Sequence, residues 1–121
     1  MRIAVCENTQ AAVERLRGWI EQYCLLYQLS ADVQCFLTAE AFSGCKGRFD
    51  VVFVGFGGNT GFLQARMLRE RDHSCRIILL DDTQQFAVQG VRIHCTDFIL
   101  RPVEFRHIVR SMGLATAGGM R

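Results

Sequence analysis

Residues 51–61, VVFVGFGGNTG, hold the densest run of residues whose spacing could do chemistry. An apolar stretch runs straight into Gly55, Gly57, Gly58 and Gly61. Glycines after a strand let a backbone approach a phosphate, and amides at the start of the next helix can hold a pyrophosphate. Asp81 lies 20 positions after Gly61, where a dinucleotide site places the acid for a ribose hydroxyl. One reading is therefore a nucleotide- or dinucleotide-binding α/β domain that uses the Gly55–Gly61 loop. Against it, the third glycine falls one position late for G-x-G-x-x-G. A complete strand–helix–strand–helix segment also precedes the loop, whereas such a fingerprint usually opens its domain.

Other reactive side chains are scattered. His73, His94 and His107 are far apart and pair with no serine or cysteine in a recognisable triad. The six cysteines include no C-x-x-C pair, and they read as buried reduced thiols, with a redox-sensing thiol as the alternative. No Cys/His cluster suggests a metal. Arg66, Arg69, Arg71 and Arg76 read as a solvated basic face, and Trp19 as partly buried beside a helix's apolar face.

Strands and helices must position these residues. Strands are read at residues 2–6, 32–37, 50–54, 76–80 and 96–100, and the apolar runs of the third and fourth carry no alternation, which marks strands covered on both faces. Helical spacing of apolar residues predicts a helix over 9–28, a short one over 38–45, one over 61–71 capped by Thr60, a short one over 84–89, and a last one from Phe105. Five strand–helix units with doubly covered strands imply a three-layer α/β/α sandwich around a five-stranded parallel sheet. One domain is expected over residues 1–113, with 114–121 as a flexible tail or linker start. Sites in such folds lie at the carboxyl ends of the strands. Those ends hold Glu7 and Asn8, Gly55, Asp81 and Asp82, and Arg101 and Pro102.

A formal charge of +2 on 121 residues argues for neither nucleic acid nor an anionic membrane as a direct partner. No apolar run nears the roughly 20 residues of a membrane span. The start, MRIAVCENT, lacks a secretory pattern, so a cytoplasmic location is expected.

The order of strand ends resembles the receiver domain of bacterial response regulators, especially those of LytTR-type transcription regulators. The resemblance covers about residues 1–113 and rests on MRIAVCEN, FDVVFVG, IILLDD and TDFILRPV. It implies the flavodoxin-like topology with strand order 2-1-3-4-5. It also implies a site that has lost its chemistry. A working receiver uses an acidic pair, an acceptor aspartate, a magnesium ion, a hydroxyl residue and a lysine. Here Glu7 is followed by uncharged Asn8, the acceptor position falls on Gly55, the hydroxyl position on Asp81 and the lysine position on Arg101. No cofactor, metal or catalysis is then expected. An Arg101–Asp81 pair is expected to close the old pocket, with Glu7 as the other possible partner of Arg101, and the Arg101–Pro102 bond is expected to be cis.

What remains is a non-catalytic pseudo-receiver, a signalling and interaction module in transcription control. Its partner would be another protein or a second copy, and DNA only through an output domain outside this chain. The resemblance places the interaction surface over about residues 84–112, with Phe86, Val88, Val91, Phe105, Arg106 and Arg110 as its candidates.

Overall fold

The computed structural model describes residues 1–117. Five strands, β1 (Arg2–Glu7), β2 (Asp32–Phe36), β3 (Val51–Gly55), β4 (Arg76–Asp81) and β5 (Asp97–Leu100), alternate with five helices. The helices are α1 (Gln10–Leu26), α2 (Ala39–Gly44), α3 (Gly58–Arg71), α4 (Ala87–Arg92) and α5 (Phe105–Ala117). The strands form one parallel sheet in the order β2-β1-β3-β4-β5. This is the flavodoxin-like receiver topology.

Successive strand residues point to opposite faces, so each apolar run supplies two cores. Ile3, Val5, Phe53, Ile78, Leu80 and Ile99 pack with Leu16 and Ile20 of α1 and Ile108 and Met112 of α5. Ala4, Val52, Val54, Ile77 and Leu79 pack with Phe42 of α2 and Ala65 and Leu68 of α3. Both faces are thereby covered, which is why VVFV and IILL carry no polar alternation.

Thr9 and Thr38 cap α1 and α2, each hydroxyl accepting from the amide three residues on, Ala12 and Ala41, at 3.1 Å. Three element boundaries differ from the sequence expectation. Helix α3 starts at Gly58 rather than Gly61, and its N-cap is Gly57 at φ 81°, with no side-chain cap. Thr60 therefore lies inside the first turn. Helix α4 spans 87–92 rather than 84–89, with buried Gly90 packed against Leu79 and Cys95. Helix α5 runs past Leu114 to Ala117. Ala115 continues the buried stripe of Ile108 and Met112 into the core, and that burial holds the added turn. The rest of the expected tail, 118–121, lies outside the described residues.

Among the described residues, no helix is long and apolar enough to cross a membrane.

Candidate functional site

The parallel register puts Glu7, the last residue of β1, opposite Gly55, the last residue of β3. Arg101 follows β5, and its backbone N–H donates to the Asp81 carbonyl at 2.9 Å, which fixes its height over the sheet. From there the guanidinium reaches across the strand ends. Its Nη2 donates to Glu7 Oε1 at 2.6 Å and to the Gly55 carbonyl at 2.5 Å. Its Nη1 lies 3.6 Å from Asp82 Oδ1. The Arg101–Pro102 peptide bond is cis, as expected.

The expected Arg101–Asp81 pair does not form; Glu7 takes that place. Asp81 is buried and already satisfied. Its Oδ2 accepts from the Gly58 amide at 3.0 Å and its Oδ1 from the Asp82 amide at 2.7 Å. Gly57 and Gly58 both hold positive φ, a conformation that glycine adopts without steric cost. That turn aims the Gly58 amide at Asp81.

No space is left at Gly55 for any side chain. A Cβ there would lie 2.7 Å from the Cys6 carbonyl oxygen, 2.8 Å from Glu7 Cδ and 3.0 Å from Arg101 Nη2. The first of these neighbours is sheet backbone, which shifts only at a cost to the β1–β3 pairing. Asn8 turns its side-chain amide toward the Phe56 carbonyl, donating at 2.8 Å.

Burial pushes the Glu7 carboxyl above its ordinary pKa, and the Arg101 guanidinium draws it back part of the way. A buried carboxylate is tolerated when a cation and hydrogen bonds meet it.

The donors do not fit a magnesium ion. Such an ion binds through carboxylates and water in octahedral geometry. Here the single carboxylate between β1 and β3 is held by a guanidinium, and residue 55 offers only its carbonyl, held by the same group. Among the described residues, no three His, Cys, Asp or Glu side chains converge as a ligand set.

The glycine loop does not favour the nucleotide reading either. The Gly58 amide is occupied by Asp81, and the Gly61 amide bonds the Gly57 carbonyl inside the helix. A buried carboxylate at the helix start would also repel a pyrophosphate.

The expected interaction surface is divided. Val88 and Val91 of α4 are exposed, as is Leu100 at the end of β5. Phe86 instead stacks on Phe62 with ring centres 5.2 Å apart, and Phe105 packs against the core. Arg106 pairs with Glu104 at 3.1 Å and Arg110 with Asp97 at 2.9 Å.

The solvated reading fails for one arginine of the basic stretch. Arg69 clamps the turn before β5, donating to the carbonyls of Ile93 at 2.9 Å, His94 at 3.0 Å and Asp72 at 3.1 Å. His94 sits at φ 59° within that turn. Nothing in the spacing of Arg69 signals this role.

Two concavities stand out. One of about 560 Å³, between Met1, Phe49, Arg76 and Ala115, lies at the amino ends of the strands, away from the loops that carry chemistry in this fold. The other, about 430 Å³, adjoins Glu7 and Arg101 between α1 and the residues after β5.

The architecture is thus that of response-regulator receiver domains, and solved structures similar to it carry that description. The response regulatory domain of protein mrkE from Klebsiella pneumoniae superposes with TM-score 0.82 at 18% identity, covering all of both chains. The beryllofluoride-activated DrrB receiver domain gives TM-score 0.79 at 19% identity, over 96% of this chain and 97% of that one. The whole regulator DrrB of Thermotoga maritima gives TM-score 0.74 at 20% identity, with 98% of this chain matching 53% of that one. No family model matches the sequence, and no curated protein does.

Proposed function

We propose that this chain is a pseudo-receiver, a signalling module of a LytTR-type or related response regulator that works in the cytoplasm without aspartyl phosphorylation. The observation that carries the reading is the closed end of β3. Phosphoryl transfer to a receiver needs a carboxylate nucleophile, a divalent cation and a lysine near the acceptor. At the matching positions this chain has Gly55, a Glu7 carboxylate bound to a guanidinium, and Arg101 itself. A Cβ at residue 55 would meet backbone.

The test is incubation with acetyl phosphate and magnesium, followed by intact-mass analysis, and separately a thermal scan with beryllofluoride. The expected outcome is no gain of a phosphoryl group and no thermal shift. A stoichiometric, hydroxylamine-labile phosphoryl adduct would overturn the reading.

The output is proposed to pass through protein contact, with DNA reached only by an output domain outside this chain. Exposed Val88, Val91 and Leu100 on α4 and β5 support self-association through that face. Sedimentation should then show a concentration-dependent dimer that Val91→Asp abolishes. A strictly monomeric protein at millimolar concentration would remove that part of the reading.

A further inference from the structure

We propose that the cleft between α1 and the segment after β5 is a binding site for a small aromatic carboxylate. This extends the pseudo-receiver reading by giving the module a chemical input, and its test is independent of the phosphorylation test.

The cleft holds about 430 Å³, within the range of about 300–1,000 Å³ typical of small-molecule sites. One wall is apolar, built by Leu16 and half-buried Trp19 of α1 and by Val103. Arg15, Arg101 and the rim residue Asp82 line the rest. An indole beside aliphatic groups suits a flat ring system.

The charges single out the head group. Arg101 spends only Nη2 on its inward contacts. Its other edge faces Asp82 at 3.6 Å, longer than the roughly 2.7–2.9 Å of a charge-assisted hydrogen bond. The Asp82 side chain is 76% exposed, so water competes for it and a ligand can replace it. Arg15 is exposed and makes no ion pair or hydrogen bond among the described residues. Two guanidinium groups with free donors thus line a cleft whose one deep acid, Glu7, is already neutralised. A carboxylate can take the outer edge of Arg101 and meet Arg15, a geometry that guanidinium groups favour. A neutral ligand of the same shape would leave those cations without a new partner.

Trp19 is the sole tryptophan, so its indole N–H gives one reporter signal in a ¹⁵N-correlated spectrum. The probe is 1-naphthoate, with 1-naphthamide as its neutral counterpart. We expect a saturable shift of the indole signal with 1-naphthoate at about millimolar concentration or below. The amide should bind roughly tenfold more weakly, and Arg15→Ala should weaken 1-naphthoate by a similar factor. Arg15 is exposed, so its variant should keep the rest of the spectrum. A shift that stays linear to about 5 mM overturns the proposal. So does equal response to acid and amide, or unchanged affinity in Arg15→Ala.

Discussion

Arg101→Ala is the sharpest probe of the closed site. The substitution removes both Nη2 bonds at once, leaving a buried carboxylate at Glu7 and a bare carbonyl at Gly55. A hydrogen bond to a charged group contributes about 1.5–3 kcal/mol. The guanidinium is 21% exposed, so water replaces part of what is lost and the lower end applies. Two such bonds give a loss of about 3 kcal/mol near neutral pH, consistent with the roughly 3–5 kcal/mol for stripping one partner from a buried pair. For a domain of this length that lowers Tm by about 10 °C. The pH dependence has a definite sign. Burial already raises the Glu7 pKa above 4.5, and Arg101 is what lowers it. Without Arg101 the folded-state pKa climbs further. A raised carboxyl pKa gives stability that is complete below the unfolded value and is lost as pH rises through the folded one. The gap between wild type and Arg101→Ala should therefore be smallest below about pH 4.5 and widen toward neutrality. Urea titrations across that window measure it, and adding Glu7→Gln to Arg101→Ala should recover part of the neutral-pH loss. A gap under about 0.5 kcal/mol, or one that does not change with pH, would refute the reasoning.

Gly55→Ala should destabilise by about 1–3 kcal/mol in urea unfolding, since its Cβ would lie 2.7 Å from the Cys6 carbonyl oxygen; a neutral result would mean that the strand ends relax freely. Asp81→Ala should lose about 1.5–3 kcal/mol and speed hydrogen exchange at the Gly58 amide, its partner at 3.0 Å. Thiol labelling of native protein should be slowest at fully buried Cys6, whose pKa burial raises strongly. Cys75 and Cys95, with pKa values pushed up to about 11 by burial, should also lag behind labelling of the unfolded chain, as mass mapping would show.

The sheet was legible because strands covered on both faces must be apolar without a break, and VVFV and IILL are. The first helix was legible from Val13, Leu16, Ile20 and Tyr23, which are all buried. Short or glycine-bounded elements were not. Helix α4 has six residues, too few for a period to show. Helix α3 begins on a positive-φ glycine without a capping side chain, so Thr60, with the right chemistry, drew the start three residues late. At the site, Glu7, Gly55, Asp81 and Arg101 were legible as strand ends, but the pairing was not. Arg101 had two acids within reach. The choice turned on the backbone at Gly57 and Gly58, which delivers an amide to Asp81 and leaves Glu7 for the guanidinium.

Gly55 and Arg101 form one unit rather than two separate departures from a receiver site. Arg101 reaches Glu7 and the Gly55 carbonyl because residue 55 has no Cβ in its path, and the space a Cβ would need is 3.0 Å from Nη2. A side chain at 55 would displace the guanidinium from a carboxylate that burial already disfavours in its charged form. Conversely, removing Arg101 would not make room at 55, because the Cys6 carbonyl still stands 2.7 Å away. No single substitution at either position therefore opens the site. Gly55→Asp should add strain without adding an acceptor, and Arg101→Lys, with a shorter reach and a more strongly hydrated cation, should hold Glu7 and the Gly55 carbonyl less well. The arginine also explains why the closed end of the sheet still has a chemical face. Its inner nitrogen bonds the ends of β1 and β3, while its outer nitrogen lies 3.6 Å from Asp82, which lines the same cleft as Trp19. A ligand bound there would act on the same residue that locks the strand ends.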